Sequence, residues 1–222
     1  MPSQFHLLAE RRFLPFFLTQ FLGAFNDNVY KNALVVLITF QAARLGADSP
    51  GVLVNLAAGV FILPFFLFSA TAGQLADKYE KSRLIRYTKL LEVAVMALAA
   101  VGFAHMSLPL LLVVLFLMGA QSALFGPVKY AIIPQQLADG ELMGGNALVE
   151  AATFVAILAG TLVGGLLVAG AHGPAWVSVA VIVLALLGWA ASMRIPPAAA
   201  ADPSLKVNWN PLTQTRDMIR FT

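Results

Sequence analysis

Six apolar runs divide the chain, at about 13–41, 52–76, 84–104, 108–131, 146–170 and 174–193. A helix needs about 20 mainly apolar residues to cross a bilayer, so the pattern predicts an all-α integral membrane fold of six spans. Residues 1–12 precede the spans and 194–222 follow them. The first run breaks its own pattern, because Asp27 sits about halfway between Leu14 and Phe40. On a helical wheel of about 100° per residue, Gln20, Asp27 and Lys31 share one face, and Asn28, Asn32 and Thr39 widen the stripe. An ionised group near the bilayer centre costs about 2.5–3.5 kcal/mol on insertion scales, so this face must look onto protein or a wet cavity. The i,i+4 spacing lets Asp27 and Lys31 neutralise each other. Two readings follow: an ion pair that fixes helix packing, or one wall of a cavity.

The later runs carry fewer polar positions. Lys89 and Glu92 lie one turn apart in the third, where a local pair with Lys89 snorkelling toward the headgroups is expected. The fourth ends in GPVKYAIIP, Gly126–Pro134. Pro127 removes a backbone donor and should bend the helix, Tyr130 is an interface anchor, and Lys129 either snorkels or faces the interior. In the fifth, Asn146, Glu150, Thr153, Gly160, Thr161 and Gly164 fall on one arc. Gly160-x-x-x-Gly164, extended back to Ala156 and joined by Gly165, forms a small-residue surface for close helix contact. Glu150 lies a turn inside the span and needs a partner, for which Lys129 and Lys31 are the candidates. After Met193, Pro196–Pro203 reads as a linker. Asn210 and Pro211 then have the character of a cap and first position of a short surface helix, PLTQTRDMIRF.

Composition sharpens the class: 59% of the 222 residues are hydrophobic and 11% charged, far from the balance of a soluble domain. With six spans, Arg11, Arg12, Lys78, Lys81, Arg83, Arg86, Arg194, Lys206, Arg216 and Arg220 share one face of the membrane, against Arg44 on the other. That bias places both termini in the cytoplasm. The start of the chain is charged like a signal peptide, but its apolar run is too long and lacks a small-residue cleavage site, so it is expected to remain as the first span. The net charge of +3 is scattered, giving no support for nucleic-acid binding. Cysteine is absent, and His6, His105 and His172 lack metal-site spacing; no metal or cofactor is expected. The basic loop GQLADKYEKSR, Gly73–Arg83, is the most motif-like connection. Gly73 allows a tight helix end there, and Asp77 can accept hydrogen bonds at the start of the next helix. Divided three and three, the spans place the first and fourth at equivalent positions of an inverted repeat, each with a lysine beside a helix irregularity. Such repeats characterise secondary transporters.

That loop resembles the signature G-x-L-A-D-[RK]-x-G-[RK] of the major facilitator superfamily. Gly73, Leu75, Ala76, Asp77, Lys78 and Lys81 match, while Glu80 replaces the usual glycine. Gly160–Gly165 is similar to the exporter signature of the fifth span, with Thr161 where proline is expected. Within the superfamily, QFLGAFNDN (Gln20–Asn28), GPVKYAII (Gly126–Ile133) and GNALVEAATFVAILAGTLVGG (Gly145–Gly165) resemble the bacterial lysophospholipid transporter family. The resemblance implies movement of lysophospholipids, chiefly lysophosphatidylethanolamine, from the outer to the inner leaflet of the cytoplasmic membrane for reacylation. It implies that Asp27 is the acid of a substrate path shared with Gln20, Asn28 and Lys31, and that Lys129 and Glu150 occupy family positions. It makes Gly73, Asp77, Lys78, Lys81 and Arg83 a gating loop. Superfamily members have two six-span halves, so the chain is expected to be a fragment, or else a half that pairs with a second copy.

A lysolipid needs a polar path for its head and an apolar surface for its single tail. The Asp27 face opposed by Phe61, Phe65, Phe66 and Phe68 suits such a molecule, as it would other amphiphiles. Export of drugs is the alternative favoured by the span-five glycines. Related transporters occur fused to an acyltransferase and an acyl-activating domain, so an acyltransferase is a candidate partner. Catalysis within this chain lacks the expected His-x-x-x-x-Asp: the fifth residue after His6 is Arg11, after His105 Leu110, and after His172 Val177. A pure scaffold would have no need for Asp27.

Overall fold

The structure is a computed structural model, and it describes residues 4–41, 45 and 49–209. The short surface helix expected after Asn210, together with Arg44, Arg216 and Arg220, lies outside the described residues. A 3-10 turn at Gln4–Ala9 leads into six helices: α1 (Leu14–Phe40), α2 (Pro50–Lys78), α3 (Lys81–Ala104), α4 (Leu108–Gln136), α5 (Leu142–Ala169) and α6 (Gly173–Ser192). There is no strand among the described residues. Proline stands at the first or second position of α1, α2, α4 and α6, where its missing N–H costs nothing and its fixed φ suits a helix start.

Five helices, α2 to α6, are long and apolar enough to cross a membrane. The 27 residues of α1 have the length, but Gln20, Asn26, Asp27, Asn28, Lys31 and Asn32 interrupt its middle. The protein is an all-helical, multi-pass membrane protein. Alternating helix directions gather the N-termini of α1, α3 and α5 and the C-termini of α2, α4 and α6 at one end, called the basic end below for Lys78, Lys81, Arg83 and Arg86.

Helix α1 packs on α5, α2 on α4 and α3 on α6, with α1–α6 and α3–α4 as further contacts. Glycine sets two of these contacts. A Cβ on Gly160 would lie 2.5 Å from the Phe25 carbonyl oxygen, and one on Gly164 would strike the Val29 carbonyl. A Cβ on Gly165 would lie 2.9 Å from the Asn32 amide nitrogen. Gly119 of α4 does for α2 what Gly164 does for α1, seating against the Phe61 carbonyl and Pro64; the sequence reading passed over it. Helix α4 continues through Pro127 and Pro134 to Gln136, five residues beyond the expected end at 131.

The basic end departs from expectation. Gly73 does not end a helix: α2 runs on to Lys78, and Gly73 sits in its last turns with open space around it. Nor does Asp77 cap α3. Glu80 does, in an extended conformation (φ −61°, ψ 123°), accepting from the backbone N–H of Ser82 and Arg83, both at 2.9 Å. A carboxylate caps well where glycine would only turn the chain.

The linker is not loose within the described residues. Ile195 and Ala198 are buried in the basic-end core beside Ile85, Ile132 and Val149. The Ala198 N–H donates to Glu80 at 2.7 Å, the Lys81 N–H to the Ala198 carbonyl at 2.9 Å, and Lys81 Nζ to the Ala199 carbonyl at 2.8 Å. Arg86 donates to the Ile195 carbonyl, Gln135 to the Ala199 carbonyl, and the Asp202 N–H to the Asp77 carbonyl. Lys81, expected in the gating loop, is buried under this strap. Lys78 rests on the Tyr79 ring, and Arg83 lies exposed, 3.7 Å from Glu80.

Candidate functional site

Halfway along α1, a cavity of about 350 Å³ opens between α1, α2, α4 and α5. Gln20, Asp27 and Asn28 line it from α1, Phe61 and Phe65 from α2, Ser122, Phe125 and Lys129 from α4, and Thr153 from α5. Polar side chains thus cover one wall midway along the helices, with two rings in edge contact, 5.7 Å between centroids, facing them from α2. Of the other expected aromatics, Phe68 packs on Phe116 and Phe66 points outward, 75% exposed.

The expected Asp27–Lys31 pair does not form. Asp27 Oδ2 accepts a hydrogen bond from Ser122 Oγ at 2.8 Å, and its Oδ1 is buried with no partner among the described residues. Lys31 turns toward α2 and holds its ammonium 4.4 Å from the centre of the Phe61 ring, a cation–π contact. Lys31 therefore stands at the edge of the cavity rather than in its lining. Of the wider stripe, Asn32 donates to the Thr161 carbonyl of α5 at 2.6 Å, and Thr39 bonds back to its own helix.

Glu150 finds Lys129, not Lys31. Lys129 Nζ lies 3.2 Å from Glu150 Oε1 and 3.2 Å from Thr153 Oγ1, and the Tyr130 hydroxyl donates to the same carboxylate oxygen at 2.9 Å. Thr153 in turn donates to Gln20 Oε1 at 3.1 Å, and Gln20 Nε2 lies 3.4 Å from the Val149 carbonyl. Lys129 therefore faces the cavity instead of snorkelling, and Glu150 reaches the site only through Lys129 and Tyr130.

Behind Asp27 lies a second polar cluster, of which the sequence showed only the Lys89–Glu92 pair. Lys89 does pair with Glu92, Nζ to Oε2 at 2.6 Å, but it turns inward and is 1% exposed. Its ammonium lies against Gly23, where a Cβ would overlap it, and 5.1 Å from the Phe125 ring centre. Glu92 also accepts from Asn26 at 2.9 Å and from Gln121 at 3.3 Å, and Ser122 links Gln121 back to Asp27. Asn26, Gln121 and Ser122 had one visible signal, polar residues at the centre of an apolar run. No group of side chains suited to a metal occurs among the described residues.

What this wall can do is bind a small polar group inside the membrane. It offers the Asp27 carboxylate, hydroxyls from Ser122 and Thr153, and the Lys129 ammonium held by Glu150, beside an aromatic face.

A family model described as Major Facilitator Superfamily matches residues 16–220. A protein of Escherichia fergusonii named Lysophospholipid transporter LplT is 34% identical over 197 residues, 88% of this chain and 45% of its own length. Proteins of the same name from Serratia proteamaculans and Escherichia coli strain SE11 are each 32% identical, over 94% and 90% of this chain. They are covered over 48% and 46% of their own lengths, so the chain spans a little under half of these relatives.

Proposed function

The chain belongs to the major facilitator superfamily, and on that footing we propose that it forms the amino-terminal half of a transporter that moves lysophospholipids. The direction proposed is outer to inner leaflet of the bacterial cytoplasmic membrane, delivering substrate to an acyltransferase that restores the second chain. Residues 13–193 are the six-span half and 194–222 a linker, with both termini cytoplasmic, so that the basic end faces the cytoplasm. A second six-span half, or a second copy of this chain, closes the cavity from the other side. The helix pairings support an inverted repeat: shifting each label by three converts α1–α5 into α4–α2 and α1–α6 into α4–α3, and returns α3–α6 to itself. The loop residues Gly73, Asp77, Lys78, Lys81 and Arg83 act in gating at the cytoplasmic end.

One observation carries the proposal: a mid-membrane polar wall holding an unpartnered Asp27 oxygen opposite an aromatic face. An isolated buried carboxylate oxygen is costly, and in a membrane such groups mark a substrate or ion path. The ammonium of a phosphoethanolamine head is a fitting donor. Gln20, Asn28, Lys31, Lys129 and Glu150 complete the polar path.

The test is inward movement of labelled lysophosphatidylethanolamine in cells lacking their own lysolipid uptake, using the chain alone, the chain joined to a second half, and Asp27→Ala in each. Uptake lost with Asp27 is the expected result. Activity of the chain alone would identify a pairing half, and no uptake by a well-inserted two-half form would sink the lysolipid reading.

A further inference from the structure

Beyond Lys31 the cavity continues as a groove of about 230 Å³ between α1 and α2, walled by Leu34 and Val35 on one side and Val54, Ala57 and Ala58 on the other. Leu115 of α4 closes it, and Phe61 belongs to both the groove and the polar cavity. Resting on the Phe61 ring, the Lys31 ammonium marks the boundary between them. No carboxylate lies within ion-pair reach of Lys31 among the described residues, since the nearest acid on its own face, Asp27, bonds Ser122 instead.

From this we infer that the α1–α2 groove is an acyl-chain subsite and that Lys31, at its mouth, binds the phosphate of the same molecule; this rests on the lysolipid reading above. Along α1 toward the end opposite the basic one come an unpartnered carboxylate oxygen at Asp27, a cation one turn later at Lys31, and the apolar groove from Leu34 onward. A phosphoethanolamine lysolipid presents its groups in that order: ammonium, phosphate, glycerol, acyl chain. One helical turn rises about 5.4 Å, and the path from position 27 to position 35 covers about 12 Å of helix axis, so head and upper tail fit along one helix face. Small side chains at Ala57 and Ala58 keep the groove open, where a leucine would fill it. A lone phosphate or a free amine would have no use for the groove, and a fatty acid would leave the Asp27 oxygen unmet.

The direction has a consequence for mechanism. With the basic end in the cytoplasm, a molecule seated this way has its head nearer the cytoplasm than its tail, the orientation of an inner-leaflet lipid. The groove thus holds the substrate after it has been turned over, ready for inward release.

The test uses the two-half protein and three probes: lysophosphatidylethanolamine with an 18-carbon chain, the same head with an 8-carbon chain, and 18-carbon monoacylglycerol, which lacks the phosphate and amine. Ala58→Trp fills the groove from an exposed position on α2. It is expected to lower the ratio of long-chain to short-chain uptake about tenfold, the equivalent of about 1.4 kcal/mol. Lys31→Met is expected to lower uptake of both phospholipid probes and leave monoacylglycerol at background. An unchanged chain-length ratio in a well-inserted Ala58→Trp protein, with unsubstituted protein active, overturns the subsite alone. A Lys31→Met protein that matches the unsubstituted one overturns the phosphate assignment. An unsubstituted protein that moves none of the phospholipid probes overturns the subsite and the lysolipid reading together.

Discussion

Two glycines, both within signature-like stretches, should respond differently to alanine. At Gly164 a methyl group would strike the carbonyl oxygen of Val29 and lie 3.0 Å from its carbonyl carbon and Cα. These are backbone atoms of α1, held by a buried helix ladder, so the methyl cannot be accommodated by a rotamer change. Overpacking a tight interface costs about 1–3 kcal/mol, and with backbone as the obstacle the upper part of that range applies. At Gly73 nothing lies within 4 Å of an added Cβ, and the residue is helical. Alanine there should recover up to about 1 kcal/mol of helix propensity.

The assay is thermal unfolding of the chain in detergent micelles. For a chain of this size 1 kcal/mol corresponds to about 2–4 °C, so Gly164→Ala should lower the midpoint by roughly 4–12 °C. Gly73→Ala should leave it unchanged or raise it by a few degrees. If Gly164→Ala melts with Gly73→Ala, the close α1–α5 contact is not what holds these helices. If Gly73→Ala falls as far as Gly164→Ala, Gly73 is needed for a turn after all, and α2 does not run unbroken to Lys78.

Lys89→Met should destabilise the chain by about 3–5 kcal/mol, because it leaves Glu92 charged and buried; adding Glu92→Met should recover only part of that in the same melts, since Asn26 and Gln121 lose their acceptor. Glu80→Gln should weaken both the α3 cap and the strap, read as faster tryptic cleavage after the exposed Arg194 and Lys206. The pH dependence has a definite sign. Burial raises the Glu80 carboxyl, but hydrogen bonds from Ala198, Ser82 and Arg83 outweigh it and hold it below the ordinary 4.5. A depressed carboxyl contributes stability that is complete above its unfolded value and lost as pH falls through its folded one. Strap protection should therefore persist above about pH 4.5 and fade below it, and Glu80→Gln should remove that pH dependence.

The helices and the polar face of α1 are legible in the sequence because both depend on one chain segment at a time. Apolar runs of membrane length announce helices, and a 3.6-residue period places Gln20, Asp27 and Lys31 together. The small-residue spacing of Gly160 and Gly164 is readable for the same reason, and these residues do meet α1. What stays hidden depends on which helix stands opposite. The wheel could not say that Ser122 would take Asp27 from Lys31, or that Lys129 and not Lys31 would meet Glu150. Lys89 misleads in another way. A lysine near a span end can usually reach the headgroups, but here Gly23 leaves a notch on α1 into which the Lys89 side chain turns. The Glu80 cap was concealed by the glycine expected in its place, and the strap by a composition rich in alanine and proline, which carries no signal of what it will lie against.

These contacts divide α1 into three working faces. Phe25, Val29 and Asn32 are pressed on α5, with glycine removing any space between the backbones. Asn26 and Tyr30 are tied to α3 and α4, the first through Glu92 and the second by a 2.7 Å bond to the Leu111 carbonyl. The arc of Gln20, Asp27 and Lys31 faces the polar cavity and the groove beyond it. A helix fixed on two sides by backbone contact and by buried polar bonds has no low-energy way to tilt alone, because tilting opens the Gly164 contact or strands Glu92. Any alternating exposure of Asp27 must then come from rocking the half as one body, or from α2, whose contact with α1 beyond Phe61 is the open groove. The placement of the acyl subsite at that seam follows from the same division: there α1 and α2 part and leave an apolar groove between them.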